Sequence, residues 1–301
     1  MTGRETGFLL LTSQLGNPDR KVLTPAQLRV LAQRSRDLDV SDPNRDLTWR
    51  DLIALGYSPE MARRIVGLLE ERELLEYYCL QAKKAGCVAL TRVTAKYPGT
   101  VRSKLGLDSP GCLWAKGDLS LLQLPAVSLV GSRDLQPQNR EFARMVGREA
   151  ARQGYVLISG NARGADKEAQ EACLQAGGQV IAVVADSLQS HKPRENMLYL
   201  SEDGFDHPFS AQRAISRNRC VHTMGRHTFV AQSGYQTGGT WDGTVKNLRH
   251  GWSPVHCYDD GTPAMELLIQ MGAQRIREDQ LADFDRLPKP APGLFFGEET
   301  L

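Results

Sequence analysis

The chain has 301 residues, 41% of them hydrophobic, 24% charged and 7% aromatic, an ordinary globular composition that excludes disordered, collagenous and disulfide-scaffold classes. Thirty-seven Lys and Arg stand against 35 Asp and Glu, a formal charge of +2, so phosphate binding has to be local rather than bulk polyelectrolyte attraction. By region the charge is +4 over residues 1–120, +3 over 121–257 and −5 over 258–301, which puts the acidic excess at the C-terminal end.

Met1 to Leu11 holds too short an apolar run for a signal segment, and no stretch approaches the roughly 18 apolar residues of a spanning helix. Six Cys at 79, 87, 112, 173, 220 and 257 form no Cys-x-x-Cys pair. Reduced thiols, a cytoplasmic location and no membrane partner are expected.

From Thr24 to about Ala85 the pattern is helical. Thr24 caps, Pro25 takes the first position and Gln27 sits three residues on, followed by Leu28 and Leu31 at helical spacing. Leu47 to Leu55 ends at Gly56, and Ser58-Pro59-Glu60 opens another helix with Ile65, Leu68, Leu69, Leu74 and Leu75 available for one face. These short helices resemble modules that touch a nucleic-acid backbone, but amphipathic helices are mostly core formers, so a packing module without ligand is the favoured reading. A helical N-terminal module over 1–96 is expected. Residues 97–125 are rich in Gly, Pro and Ser and mark a junction with short strands.

Beyond it strands and helices alternate: Ala126–Val130, a helix from Pro137 to Gly154, Tyr155–Ile158, a helix over Lys167–Ala176, Val180–Val184, Thr228–Ala231, and Val255–Cys257 after a helix placed beyond Thr244. Such alternation predicts an α/β domain over 97–284, a mostly parallel Rossmann-like sheet with helices on both faces and ligands at the carboxyl ends of its strands. Pro288 to Gly293 is too Pro-rich to continue it, giving a tail over 285–301.

The loops at those strand ends are expected at Gly131–Gln136, Ser159–Asp166, Ala185–Asn196 and Gln232–Gly243. Glycine turns aim backbone amides and helix N-termini at an anion, although glycine also serves simple tight packing. Arg133, Arg163, Arg194 and Arg217-Asn218-Arg219 add planar cations suited to phosphate, with Arg213 and Arg226 equally readable as solvated surface.

At these residues the sequence resembles the bacterial DNA-processing protein A family. The likeness runs from roughly Tyr97 to Phe284 and rests on seven ordered motifs: Leu113 to Asp118, Val130-Gly131-Ser132-Arg133, Ser159 to Asp166, Pro193-Arg194-Glu195-Asn196, Arg217-Asn218-Arg219, Gln232-Ser233-Gly234 and Gly272-Ala273. The resemblance implies single-stranded DNA binding in a basic pocket, transfer of the strand to a strand-exchange recombinase in transformation or recombination, and pairing as a homodimer. Carried over by position, Arg133 and Arg194 match the pocket cations. Gly131, Ser132, Ser159 and Gly160 line the same edge, and Arg217 and Arg219 either bind or brace it.

Arg163, Asn196, Asn218, Gly238, Gly239, Thr240 and Trp241 complete the expected phosphate and DNA contacts, Trp241 with Tyr235 and Trp252 as stacking candidates. Departures from the family are Gln170 for His, Lys192 for Tyr, Gln232 for Glu and a more elaborate Tyr235–Gly243 loop. No C-terminal winged helix is expected, and a role in phage defence stays open.

Gly238-Gly239-Thr240 is also similar to the loop of lonely-guy phosphoribohydrolases, whose catalytic Glu would fall at Gly243, with Asp242 one residue short. A nucleotide sensor or a nucleotide hydrolase is therefore the rival reading, and a ligand-free adaptor carried by the acidic tail and N-terminal helices is the third. Cys220, His222, His227, His250, His256 and Cys257 lack zinc-site spacing, and no P-loop, G-x-S-x-G or H-E-x-x-H motif is present. No metal, no cofactor and no catalytic residue are expected.

Overall fold

Three threonines start the N-terminal helices. Thr2, Thr24 and Thr48 accept the amides of Glu5, Gln27 and Asp51 at 3.3, 3.2 and 3.3 Å, and these caps open α1 (Gly3–Thr12), α2 (Pro25–Arg34) and α3 (Trp49–Ala54). The amphipathic helices α4 (Pro59–Glu70) and α5 (Arg72–Lys84) follow. Leu28, Leu31, Leu52, Ile65 and Leu68 close into one core. In this computed structural model the described residues are 1–38, 45–202 and 204–288.

Contacts divide the chain into two units, the first holding 1–116 with 187–191 and 201–207, the second the remainder. The boundary thus falls twenty residues after the expected 96, because α5 leads directly into β1 (Val88–Thr91), which pairs antiparallel with β2 (Cys112–Gly117) across the short helix α6 (Gly99–Leu105). The first unit is helical but carries this hairpin as well.

In the second unit the strands are β3 (Ala126–Val130), β4 (Val156–Ser159), β5 (Gln179–Val183), β6 (Met197–Ser201), β7 (Thr228–Val230), β8 (Val255–Tyr258) and β9 (Gln274–Ile276). They run parallel in the order β6-β5-β4-β3-β7-β8-β9. Their near-continuous burial is the signature of a sheet covered on both faces. The covering helices are α7 (Pro137–Arg152) packed on α8 (Ala165–Gln175), and α9 (Ala211–Met224) packed on α10 (Gly238–His250), with α11 (Pro263–Gln270) beside β8.

The strand order runs outward from β3 through β4 on one side and from β7 through β8 on the other. The topological switch point, where such sheets open a crevice at their carboxyl ends, therefore lies between β3 and β7. Phe284 and Leu287 are buried, so the domain extends to the start of the expected tail. Residues 289–301 of that tail lie outside the described residues.

Candidate nucleic-acid interface

A cleft of about 430 Å³ opens at the switch point, lined by the loop after β3, the loop after β4, one face of α9 and the first turn of α10. A second hollow of about 370 Å³ adjoins it, and Arg133, Gly160, Ala162 and Arg217 line both.

The loop after β3 is held by its own backbone. Ser132 donates its amide to the Gln232 carbonyl at 2.9 Å, and its carbonyl accepts the Ala165 amide at 3.1 Å. Ser132 Oγ accepts the Asp134 amide at 3.2 Å. Between these anchors Arg133 is exposed to the cleft and makes no hydrogen bond or ion pair to a described residue.

The loop after β4 behaves differently from the expected anion site. Ala162 donates its amide to Asp166 Oδ2 at 3.1 Å, so the chain's own carboxyl group occupies this turn. Burial pushes the Asp166 carboxyl above the usual range, opposed by the nearby Arg217 and the Ala162 and Gly160 amides. Ser159 is fully buried and accepts from Gln170 Nε2 at 2.6 Å, so it packs behind the cleft and does not line it.

Arg163 is exposed and paired with Asp134 at 3.0 Å, facing the second hollow. Gly164 has φ +84°, and a Cβ there would stand 2.4 Å from the carbonyl oxygens of Ser132 and Arg133, which restricts the position to glycine.

Arg217 forms the floor. It is 6% exposed, and Nη1 donates to the Val183 carbonyl at 2.5 Å while Nε donates to Ala214 at 3.3 Å. Asn218 donates from Nδ2 to the Gly239 carbonyl at 3.0 Å. Arg219, two residues along α9, is half-buried on another face and does not line the cleft. The three residues lie inside α9.

Helix α10 begins at Gly238, six residues before the expected Thr244. Two glycines in a first turn are poor helix formers, which hides this start from propensity. Thr237 precedes the helix without a side-chain cap. The amides of Gly238, Gly239 and Thr240 make no hydrogen bond to a described residue. They point, with the positive end of the helix dipole, toward the cleft. Thr240 Oγ1 donates to the Gly131 carbonyl at 2.9 Å and ties this turn to the β3 loop. Trp241 is half-buried, 6.3 Å from the Tyr235 ring, and lies outside the cleft lining.

Arg194 and Asn196 do not join this site. The sequence placed Ala185–Asn196 in one loop at the carboxyl edge. The chain instead passes from the end of β5 to the start of the parallel strand β6, so residues 192–196 sit at the amino ends, with Val180 donating its amide to the Asn196 carbonyl at 2.9 Å. There Arg194 is held by both oxygens of Glu171 at 2.8 and 2.9 Å. Trp252 also precedes a strand and stacks on His250 at 5.2 Å.

The rival reading needs an acid near α10. A Cβ at Gly243 would stand 3.0 Å from His222 Nε2 and 3.4 Å from Asn218, leaving no room for a carboxylate side chain. Asp242 pairs with Lys246 at 2.8 Å and does not line the cleft.

Several contributors escaped the sequence reading. Asp166 was read only as the end of a glycine loop. Among the described residues the second unit exposes four large apolar side chains, and two of them line the hollows: Phe209 at 57% and Ile215 at 47%. Their signal was available only in the fold, because an isolated exposed Ile or Phe carries no pattern.

The family profile described as DNA recombination-mediator protein A matches residues 89–284. DNA processing protein DprA of Streptococcus pneumoniae is 30% identical over 193 residues, covering 59% of this chain and 68% of that protein. The Bacillus subtilis protein of the same name is 28% identical over 184 residues, covering 56% and 62%. The chain thus spans about two thirds of the length of these relatives. Among solved structures, that of the S. pneumoniae protein aligns with a TM-score of 0.69 at 24% identity over 93% of this chain and 96% of the other. A structure addressing the single-stranded DNA binding mode of DNA processing protein A from Helicobacter pylori aligns with a TM-score of 0.56 at 24% identity, covering 65% and 94%.

Proposed function

This chain belongs to the DNA recombination-mediator protein A family, and from that premise we propose that it binds single-stranded DNA in the switch-point cleft, without turnover, in support of recombination or transformation. The observation that carries the reading is the pairing of an uncapped helix N-terminus at Gly238–Thr240 with the unneutralised Arg133 in one cleft. Amides and a guanidinium together suit a phosphodiester. Two exposed apolar side chains in the lining, Phe209 and Ile215, suit the faces of unpaired bases, which a duplex does not offer. Of the expected contacts, Gly131, Ser132, Arg133, Gly160, Arg217, Asn218, Gly238, Gly239 and Thr240 belong to this proposed site, with Arg163 beside it.

Cations do not dominate the rim: Arg133, Arg163 and Arg217 are accompanied by Asp134, Asp166 and Asp186. Helix-terminal amides therefore supply a larger share of anion attraction than net charge does. Handing of the strand to a recombinase, homodimer formation and a cytoplasmic location follow from the same premise as parts of the proposal. Among the described residues no helix is long and apolar enough to cross a membrane.

The test is fluorescence anisotropy with a labelled oligodeoxythymidylate across a salt series. Wild type should bind with affinity falling as salt rises, and Arg133→Glu should lose binding with its melting temperature unchanged. Undiminished binding by that variant refutes the site. Saturable binding of a mononucleotide in place of the oligonucleotide would favour the sensor reading.

A further inference from the structure

The loop that presents Arg133 is gripped from the neighbouring strand end by one residue. Gln232 follows β7, and its backbone carbonyl accepts the Ser132 amide at 2.9 Å. Its side chain reaches past Arg133 to the far side of the same turn, where Oε1 accepts the Gln136 amide at 2.9 Å and Nε2 donates to the Asp134 carbonyl at 3.2 Å. The two halves of the carboxamide thus meet partners of opposite polarity, which fixes its orientation. Ser132 and Asp134 flank Arg133, so the guanidinium projects from a turn clasped immediately before and after it.

We propose that Gln232 is a positioning residue for DNA binding, acting through Arg133 by fixing the turn that carries it. The inference rests on the cleft being the DNA site. An unclasped turn lets a long, unpartnered side chain sample many directions, and ordering it on binding then costs affinity. A carboxylate at this position keeps the bond from Gln136 and loses the one to Asp134, so half of the clasp survives.

The experiment is a double-mutant cycle of Gln232→Ala and Arg133→Ala, with Gln232→Glu as the near-isosteric control, measured by oligonucleotide anisotropy over a salt series and by thermal melting. Gln232→Ala should weaken binding by about 3- to 10-fold and lower the salt slope toward that of Arg133→Ala, a drop of about 0.7 for one phosphate contact on a single strand. In the Arg133→Ala background it should have no further effect. Gln232→Glu, which keeps the bond from Gln136, should retain binding better than Gln232→Ala while melting near wild type, which separates positioning from general destabilisation.

If Arg133→Ala impairs binding and the Gln232 variants do not, or if the two losses add independently, the positioning role is refuted. If Arg133→Ala binds like wild type, the cleft assignment itself fails and the inference with it.

Discussion

The guanidinium of Arg217 and the bare α-carbon of Gly160 share one small space: a methyl group on Gly160 would stand 1.7 Å from Nη1. Gly160→Ala must therefore eject a buried cation from its seat against the Val183 carbonyl. Overpacking of this kind costs about 1–3 kcal/mol. Chemical denaturation should show a loss of that order, together with weakened oligonucleotide binding, and wild-type stability would contradict the packing described.

Arg194→Glu should leave DNA binding unaltered within about twofold, because the residue is engaged by Glu171 at the amino edge of the sheet and an exposed pair contributes only about 0–1 kcal/mol. A large loss in anisotropy titrations would return Arg194 to the binding surface.

Asp134→Asn should strengthen binding by about 2- to 5-fold and steepen the salt slope by about 0.7, by releasing Arg163 to reach a phosphate. A weaker complex would mean that the Asp134 carboxylate orders the loop more than it competes with DNA.

Phe209→Ala should weaken binding by about 5- to 100-fold, the range of one lost base stack of about 1–3 kcal/mol, with the salt slope unchanged. An equal loss for an abasic oligonucleotide of the same length would exclude stacking as the cause.

Stability should fall as pH drops below neutrality. His222 bonds Asn247 Nδ2 through Nδ1 at 3.0 Å, and His256 bonds His227 at 2.9 Å. Burial pushes both His222 and His256 down to about 3 from an ordinary 6.5. With folded values below unfolded ones, the folded state takes up fewer protons than the unfolded chain between those limits. The stabilisation is complete above about pH 6.5 and declines toward pH 3 by about 1.4 kcal/mol per pH unit for each histidine. Urea denaturation at pH 7.5, 6 and 5 checks this, and a flat profile would contradict it.

Much of the fold was legible because its signals are local. The Thr24-Pro25-x-Gln27 cap opens α2, and the apolar runs at Ala126–Val130 and Val180–Val183 are buried strands. The cleft loop at Gly131 to Arg133 was legible from its glycine turn after a strand. The site was misread where topology decides. Arg133 and Arg194 look alike in sequence, each beside a Pro, Gly or Ser turn near a strand, yet one follows a strand and the other precedes one. Among the described residues only a single 3-10 turn, Leu188–Ser190, lies on the return from β5 to β6, so periodicity could not reveal which edge Arg194 occupies. Helix α10 was begun late because Gly238 and Gly239 suit an open first turn better than they suit helix propensity.

Asp166 gives the surface a direction. Of two neighbouring loops, the one after β4 already holds an acid supplied by the polypeptide, which in the proposed binding mode leaves a phosphate the α10 side of the cleft.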